Sequence, residues 1–258
     1  MAEKRKPTPD LDQMPPFPHR RWLAGFLEAG ASMKITIIRN WQNGHLTPQA
    51  RPEIAYGDND QNRIALLKKL LSSTDKPRQT MSTRYAVIRG DEAVSLAYSI
   101  RADAPSRQTI ISAFIEWLQA NFTEDRVEIA KRVVGRRVVD PVPQWAYERL
   151  ITDSNFVGGV IDCRGRVVPH EHMDRQGFSS WIKPDLKINS VNFSLLESLR
   201  KRFGSHIETI GRRGDEKIIR GTEVTLKNDC YELIVGSRNA EDLLAWARPK
   251  LPLANSNK

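Results

Sequence analysis

The stretch LAGFLEAGASM, at Leu23–Met33, returns in altered form as VGGVIDCRGRV at Val157–Val167. A repeat at this spacing indicates two copies of one structural unit on one chain, and it therefore decides most of the fold. The repeat extends beyond this motif, because KPDL at Lys183–Leu186 corresponds to RPEI at Arg51–Ile54 at nearly the same offset. We therefore expect two related units, each beginning with one copy of the motif.

Composition sets the outer bounds of the interpretation. The chain has 258 residues, of which 40% are hydrophobic and 28% are charged. This is enough for one large core or for two domains of about 100 to 130 residues. Lysine and arginine number 40 against 31 aspartates and glutamates, and the resulting net charge of +9 favours contact with polyanions such as nucleic acid.

The sequence also indicates a compartment. Cys163 and Cys230 are the only cysteines, too few for a disulfide framework or a cysteine zinc site, so a reducing environment is expected. No apolar run approaches the roughly 18 to 20 residues that span a bilayer, and Met1–Arg21 carries charge and proline where a signal peptide needs an apolar stretch. We expect a cytoplasmic protein, in the nucleoid or another intracellular location, with no membrane partner.

Hydrophobic periodicity predicts an α+β fold made of two pseudo-symmetric αββαββα units. The predicted segments are a flexible, basic and proline-rich arm at 1–19, a first unit at 20–122, a connector at 123–153, a second unit at 154–251 and a tail at 252–258. The five prolines and the Lys-Arg-Lys cluster near the start favour an extended arm over a packed element.

The first unit is expected to alternate helices with strand pairs. In order, its predicted elements are a helix from Arg20 to Gly30, a hairpin of Met33–Trp41 with Arg51–Asp58 through Asn43-Gly44, a helix capped by Asp60, a strand pair of Tyr85–Arg89 with Ala93–Arg101, and a helix at about Ser106–Phe122.

The connector is expected to hold short helices at Glu124–Val134 and Gln144–Leu150. The second unit then repeats the order, with a helix around Asn155–Arg164, strands from Arg166 and at Trp181–Asn189, a helix at Val191–Phe203, closing strands at Glu223–Lys227 and Tyr231–Val235 through Asn228-Asp229, and a helix at Ala240–Ala247. The basic stretch His206–Arg220 has no counterpart in the first unit and is given no place.

Small residues recur four positions apart along each motif helix. Such spacing lets two helix backbones approach closely, because no larger side chain stands between them. The predicted helix-interface residues are Ala24, Gly25, Ala29, Gly158, Gly159 and Cys163.

The paired motifs resemble the signature of the LAGLIDADG homing endonucleases in their single-chain, two-motif form, over roughly Trp22–Leu251. The resemblance implies that the two signature helices pack at a pseudo-twofold axis. It also implies two four-stranded antiparallel sheets that form a saddle over the DNA major groove, in a monomer that is an internal pseudo-dimer.

The departures from the family pattern concern the eighth motif position. In the family this position holds Asp or Glu, and the two carboxylates hold the divalent metal ions that activate water. Here the positions are Gly30 and Arg164, so no catalytic residue, metal site or cofactor is predicted. Glu28 and Asp162 occupy the sixth position, about 200° around the helix, and are assigned a structural role.

Arg164 also suggests a positive hypothesis. A guanidinium at the carboxyl end of a helix is favoured by the helix dipole, and it can pair directly with phosphate. Polar side chains opposite the apolar faces of the strands extend this candidate surface. The predicted nucleic-acid-binding residues are Lys34, Thr36, Asn40, Gln42, Arg101, Arg164, Arg166, His170, Lys183, Lys187 and Asn189.

Three functions stay open from the sequence. The first is a nucleic-acid-binding protein on a degenerate scaffold, with DNA favoured over RNA, acting as a DNA-bound regulator or as an RNA factor of the maturase or splicing type. The second is an active, sequence-specific DNA endonuclease with a displaced metal site, the one case in which Mg²⁺ would be needed. The third is a scaffold for protein interactions.

Overall fold

The computed structural model describes residues 20–30, 32–42, 45–58, 61–70, 84–89, 91–103, 109–121, 144–173, 180–219, 222–226, 228–251 and 253–255. Several predicted features lie outside these residues: the arm at 1–19, the Asn43-Gly44 turn, the Asp60 cap and the connector helix at Glu124–Val134.

Each unit begins with a motif helix that is followed by two long antiparallel strands. The first unit contains α1 (Arg20–Gly30), β1 (Ser32–Gln42), β2 (His45–Asp58), α2 (Gln61–Leu70), β3 (Arg84–Arg89), α3 (Asp91–Asp103) and α4 (Ile110–Asn121). The rest of the chain contains α5 (Gln144–Leu150), α6 (Ser154–Arg164), β4 (Gly165–Met173), β5 (Ser180–Ser190), α7 (Phe193–Phe203), β6 (His206–Gly211), β7 (Glu216–Ile219), β8 (Thr222–Thr225), β9 (Cys230–Val235), α8 (Ser237–Ala247) and β10 (Ala254–Asn255).

The local sequence explains where the motif helices form. In α1 an unbroken run from Trp22 to Ala29 is buried, because this helix is covered on every side. In α6 the Asp153 side chain caps the start of the helix and accepts the backbone N–H of Asn155 at 2.8 Å. The same carboxylate forms an ion pair with Arg21, so the beginnings of the two motif helices are tied together.

The strands form two main sheets. The first has the order β1-β2-β3, with Met33 opposite Ile54 and Ile54 opposite Ile88 on its buried face. Gln42 lies opposite His45, which confirms the predicted hairpin. The second sheet has the order β10-β4-β5-β9-β6 and is antiparallel except at β10, which pairs in parallel with β4. The tail thus supplies an edge strand that the sequence did not indicate.

The segment predicted as the strand Ala93–Arg101 is helical, so that prediction is wrong. The apolar residues at 94, 96, 98 and 100 alternate in the sequence, which suggested a strand. The fully buried residues of α3, however, follow the three- and four-residue spacing of a helical face: Ala93, Leu96, Ala97 and Ile100. By its position after β3, α3 is the counterpart of α8, which follows β9.

The predicted hairpin through Asn228-Asp229 is also wrong. Strand β9 lies between β5 and β6, whereas β8 pairs with β7 in a separate two-stranded sheet. The basic stretch His206–Arg220 supplies β6 and β7. Strand β9 pairs with β6, and the strands β7 and β8 lie between these two in the sequence. The strand that directly precedes β9 is therefore not its partner, which explains the error.

Candidate nucleic-acid interface

The two motif helices approach most closely at one glycine of each. Gly25 faces the carbonyl oxygen of Phe156, and Gly159 faces the carbonyl oxygen of Trp22. A Cβ atom at either glycine would overlap that oxygen. The two contacts are equivalent under the sequence repeat, as expected for helices related by a pseudo-twofold axis.

Not all of the other predicted interface residues lie between the two motif helices: Gly158 lies against α8 instead. Ala24, Ala29 and Cys163 are buried, and a Cβ atom on Gly30 would lie 2.6 Å from the Cys163 Sγ. Gly158 faces the end of α8 instead, where an added Cβ would lie 2.5 Å from the carbonyl oxygen of Ala247. This corrects the assignment of Gly158 to the contact between the motif helices, because adjacent helix positions point about 100° apart.

The carboxyl ends of the motif helices meet at Gly30 and Arg164. The Arg164 side chain reaches across to α1 and donates from Nε to the Ala29 carbonyl at 3.3 Å and from Nη2 to the Gly30 carbonyl at 3.1 Å. A helix leaves its last carbonyls without intrahelical partners. Arg164 therefore caps the end of the opposite motif helix.

The end of α6 is capped in return by the first unit. Tyr56 on β2 donates its hydroxyl to the Cys163 carbonyl at 3.2 Å, and Arg63 on α2 donates to the Asp162 carbonyl. Each motif helix thus ends on side chains from the other unit.

These helix ends do not fit a divalent cation. Gly30 contributes no side-chain oxygen, and the Arg164 guanidinium places a positive charge between the two helix ends, which repels a cation. Within the described ranges, no three His, Cys, Asp or Glu side chains come together as a metal site.

Asp162 is buried and accepts hydrogen bonds from three donors. They are the Trp22 indole N–H at 2.6 Å, the Lys250 backbone N–H at 2.7 Å and the Leu251 backbone N–H at 2.9 Å. Burial raises the pKa of Asp162, although these hydrogen bonds favour the charged form. The carboxylate therefore joins α1, α6 and the segment after α8, and its oxygens already have partners.

Glu28, at the corresponding position of the first motif, is the centre of a second buried network. Its carboxyl group accepts the Tyr147 hydroxyl and the Ile111 backbone N–H, each at 3.3 Å. Asn192, the cap of α7, donates in turn to the Tyr147 hydroxyl at 2.7 Å. Burial, followed by the nearby Glu28 charge, raises the pKa of Tyr147, which keeps its phenol protonated as the donor.

Burial raises the pKa of Glu28 from 4.5 to about 7, which predicts a pH-dependent stability. Between these values the folded chain holds more protons than the unfolded chain, so stability falls as the pH rises. The free energy of unfolding should drop by about 3 kcal/mol across this window. Urea titrations at several pH values should show this slope in the natural chain and lose it in Glu28→Gln. Glu148→Gln, an exposed change on α5, should keep the slope, and a Glu28→Gln profile that parallels the natural one would refute the assignment.

The outer face of the second sheet carries a charged cluster. Arg166 on β4 lies directly opposite Lys187 on β5, and both contact the buried carboxylate of Glu232 on β9, at 2.5 Å and 2.9 Å. Burial alone would raise the pKa of Glu232, but the hydrogen bonds from Lys187 and Arg166 outweigh it and lower that pKa. Glu232 therefore stays ionised and holds both cations.

Strand register brings further predicted residues to the same face. Lys183 is exposed and lies opposite His170, and Asn189 lies opposite Glu232. Four predicted residues lie on β1 of the first sheet, and only their strand register is described. The pairs are Lys34 with Glu53, Thr36 with Arg51, Asn40 with Thr47 and Gln42 with His45. The side chains of these four, and that of His170, lie outside the described residues.

Arg101 does not belong to either sheet, and its placement on a strand face is corrected. It lies in the last turn of α3 and contacts Glu116 of α4 at 3.7 Å. The reason is the helical character of the segment that was predicted to be the fourth strand.

Two acidic residues of the second sheet were not identified as site residues from the sequence. Glu232 lies beside Arg166 and Lys187, while Asp185, between Lys183 and Lys187, accepts the Ser237 hydroxyl at 2.9 Å at the start of α8. Asp185 alternates with Lys183 and Lys187 along β5 and so shares their face, and no sequence pattern indicated that β9 would lie next to β5.

None of the helices in the described ranges has the length and the apolar character of a membrane-spanning segment.

Comparison with solved structures gives matches over nearly the whole chain. The LAGLIDADG homing endonuclease I-GzeII in complex with a DNA target matches at 12% identity and a TM-score of 0.54, covering 90% of this chain and 85% of that one. I-SmaMI bound to uncleaved DNA with calcium ions matches at 12% identity and a TM-score of 0.57, covering 90% and 86%. The chain has the LAGLIDADG homing endonuclease fold. I-LtrWI, a further LAGLIDADG endonuclease bound to target DNA, matches at 12% identity and a TM-score of 0.54, covering 91% and 84%.

No protein-family model and no curated protein sequence matches the chain, so the likeness is one of three-dimensional structure. The LAGLIDADG fold explains why the motif helices lie at the centre, with a sheet following each of them. On this LAGLIDADG scaffold the helix ends carry Gly30 and Arg164.

Proposed function

We propose that this chain binds nucleic acid through the outer faces of its two sheets and does not hydrolyse it. Duplex DNA is the favoured ligand, with the chain acting as a regulator, and structured RNA is the second candidate within the same class. The observation that carries the proposal is the polar row on the outer face of the second sheet, where Arg166, Lys183, Lys187 and Asn189 share one side. Side chains of this mixture can contact both phosphates and base edges.

Three observations support binding. The structural neighbours I-GzeII, I-SmaMI and I-LtrWI were each solved on DNA, and this chain has their fold. The net charge of +9 favours a polyanionic ligand. The buried faces of both sheets are apolar, so the outer faces are left for a ligand.

The residues at the helix ends support the absence of hydrolysis. Gly30 and Arg164 offer no carboxylate, and the nearest motif carboxylates are already engaged within the protein. Asp162 accepts three N–H groups, and Glu28 is buried beside Tyr147. Hard cations need oxygen ligands that are free to bind them.

The proposal is tested by parallel selection from random duplex DNA and from cellular RNA, each with and without Mg²⁺. The retained molecules and any new ends are then sequenced. We expect enrichment of duplex DNA with no new ends in Mg²⁺. Enrichment of RNA alone would select the RNA factor, new ends that require Mg²⁺ would select the endonuclease, and no retention at low salt would leave the protein scaffold.

Glu232 offers a quantitative check on the binding face. In Glu232→Gln the neutralising carboxylate is lost, so Arg166 and Lys187 both become available to phosphates. Affinity for duplex DNA should rise, and the slope of log K against log salt should steepen by about 0.9 or more. Fluorescence anisotropy over a salt series measures both quantities.

The matched control is Glu241→Gln, which makes the same charge change on α8, outside the sheet. Glu241 is exposed, whereas the ion pairs of Arg166 and Lys187 are made with Glu232, so the loss of Glu241 releases neither cation. If Glu232→Gln bound DNA no more tightly than Glu241→Gln, the outer face would not be the binding surface.

A further inference from the structure

Arg164 differs from the other arginines of the described ranges that the structure shows in ion pairs. Arg21 lies against Asp153, Arg166 against Glu232, Arg200 against Glu197 and Arg101 against Glu116. Arg164 contacts two backbone carbonyls and, among the described residues, no carboxylate. Within the part of the chain that the structure describes, its positive charge is therefore held in place without a neutralising acid.

The geometry leaves part of the guanidinium open. An arginine side chain presents five N–H donors in one plane. The Nε N–H and one N–H of Nη2 donate to the end of α1, and among the described residues the other three N–H groups make no hydrogen bond. Because Arg164 is exposed, a ligand oxygen can reach these donors. Two fixed hydrogen bonds also reduce the rotamer freedom that binding would otherwise cost.

The position of Arg164 relates it to the outer face of the sheet. Residue 164 ends α6, and β4 begins at the next residue, so Arg164 and Arg166 are separated by Gly165 alone. Gly30 likewise precedes β1. Arg164 thus lies at the point where both motif helices end and their sheets begin. A nucleic acid that crossed from one sheet to the other would pass this point near its middle.

The two helix ends are both supplied with a guanidinium, but in different environments. Arg63 donates to the Asp162 carbonyl at the end of α6 and is 2% exposed, so it is not accessible to an external ligand. Arg164 performs the same task for α1 at the surface. The exposed member of this pair is the one that can meet a ligand.

We propose that Arg164 is a built-in counterion that binds one backbone phosphate at the centre of the nucleic-acid interface, in place of a divalent cation. This inference rests on the proposed function and adds a specific residue, ligand group and ion dependence to it. A guanidinium forms strong, charge-assisted hydrogen bonds with phosphate, and the negative end of the α1 dipole stabilises the cation. Binding at this point should therefore need no Mg²⁺.

The test compares the full-length chain with Arg164→Gln and Arg164→Lys by fluorescence anisotropy. The probe is a labelled duplex DNA recovered by the selection described above, in a salt series with Mg²⁺ or with EDTA. The natural chain should bind at least as tightly in EDTA as in Mg²⁺, because free Mg²⁺ only competes for the phosphates. Arg164→Gln should weaken binding about tenfold or more at low salt and lower the salt slope by about 0.9. Arg164→Lys, which keeps the charge, should retain most of the slope.

Arg200→Gln is the matched control, because it removes the same charge from α7. Its binding should change less than that of Arg164→Gln, and thermal melting establishes that each variant is folded. Equal salt slopes for the natural chain and Arg164→Gln would overturn the inference while leaving nucleic-acid binding intact. Binding of the natural chain that disappears in EDTA would overturn it without relying on any variant. A natural chain that binds neither DNA nor RNA contradicts the proposed function itself.

Discussion

Replacing Gly159 with alanine should destabilise the chain severely, although alanine is the better helix former. The added Cβ would overlap the carbonyl oxygen of Trp22, and it would also lie only 2.7 Å from the Phe26 backbone nitrogen. Both groups belong to the backbone of α1, so no side-chain rotation relieves the overlap and the two helices must separate. We expect a loss of about 3 kcal/mol or more in the free energy of unfolding. Urea denaturation followed by circular dichroism measures this loss.

Gly236→Ala is the control for this change. No heavy atom lies within 4 Å of the position that its Cβ would take, and its backbone is extended. Its free energy of unfolding should stay within about 0.5 kcal/mol of the natural value. A Gly159→Ala chain as stable as Gly236→Ala would mean that the motif helices do not approach as closely as described.

Asp162→Ala should be comparably damaging, for an electrostatic reason. The substitution leaves the Trp22 indole N–H and the Lys250 and Leu251 backbone N–H groups without their acceptor. Buried donors without partners cost about 1–3 kcal/mol each, so a total loss of about 3–5 kcal/mol is expected. Asp162→Asn keeps one acceptor oxygen and should fall between alanine and the natural residue. Urea denaturation of the three chains at one pH gives this order.

Asp242→Ala, an exposed aspartate on α8, provides the comparison for Asp162→Ala. Its loss should change the free energy of unfolding by no more than about 0.5 kcal/mol. If the two alanine variants were equally stable, Asp162 would not be the structural centre that its hydrogen bonds indicate.

The repeat made the central part of the fold predictable. Small residues at Gly25 and Gly159 predicted a close helix contact, because glycine alone lets backbone meet backbone at this distance. Period-two alternation likewise placed Lys183 and Lys187 on the face opposite Leu186, and the register of β4 and β5 confirms this arrangement. The glycine contact is indicated by both copies of the motif, and the strand alternation is a local pattern. Neither prediction needs to know which distant segments pair.

Other features depend on partners that are distant in sequence. The alternation in Ala93–Arg101 indicated a strand, whereas burial of Ala93, Leu96 and Ile100 against the core accompanies a helix. The contact of Glu232 with Arg166 depends on β9 lying beside β5, across an insertion of two strands. The attachment of Arg164 to the carbonyls of α1 concerns the backbone, which carries no sequence signal of its own.

The mutual capping of α1 and α6 limits how the two copies can change over evolutionary time. Arg164 completes the first copy, while Tyr56 and Arg63 complete the second. A substitution at one of these residues therefore alters the helix end of the other copy. The two copies constrain each other through these contacts, although few identical residues are shared between their sequences.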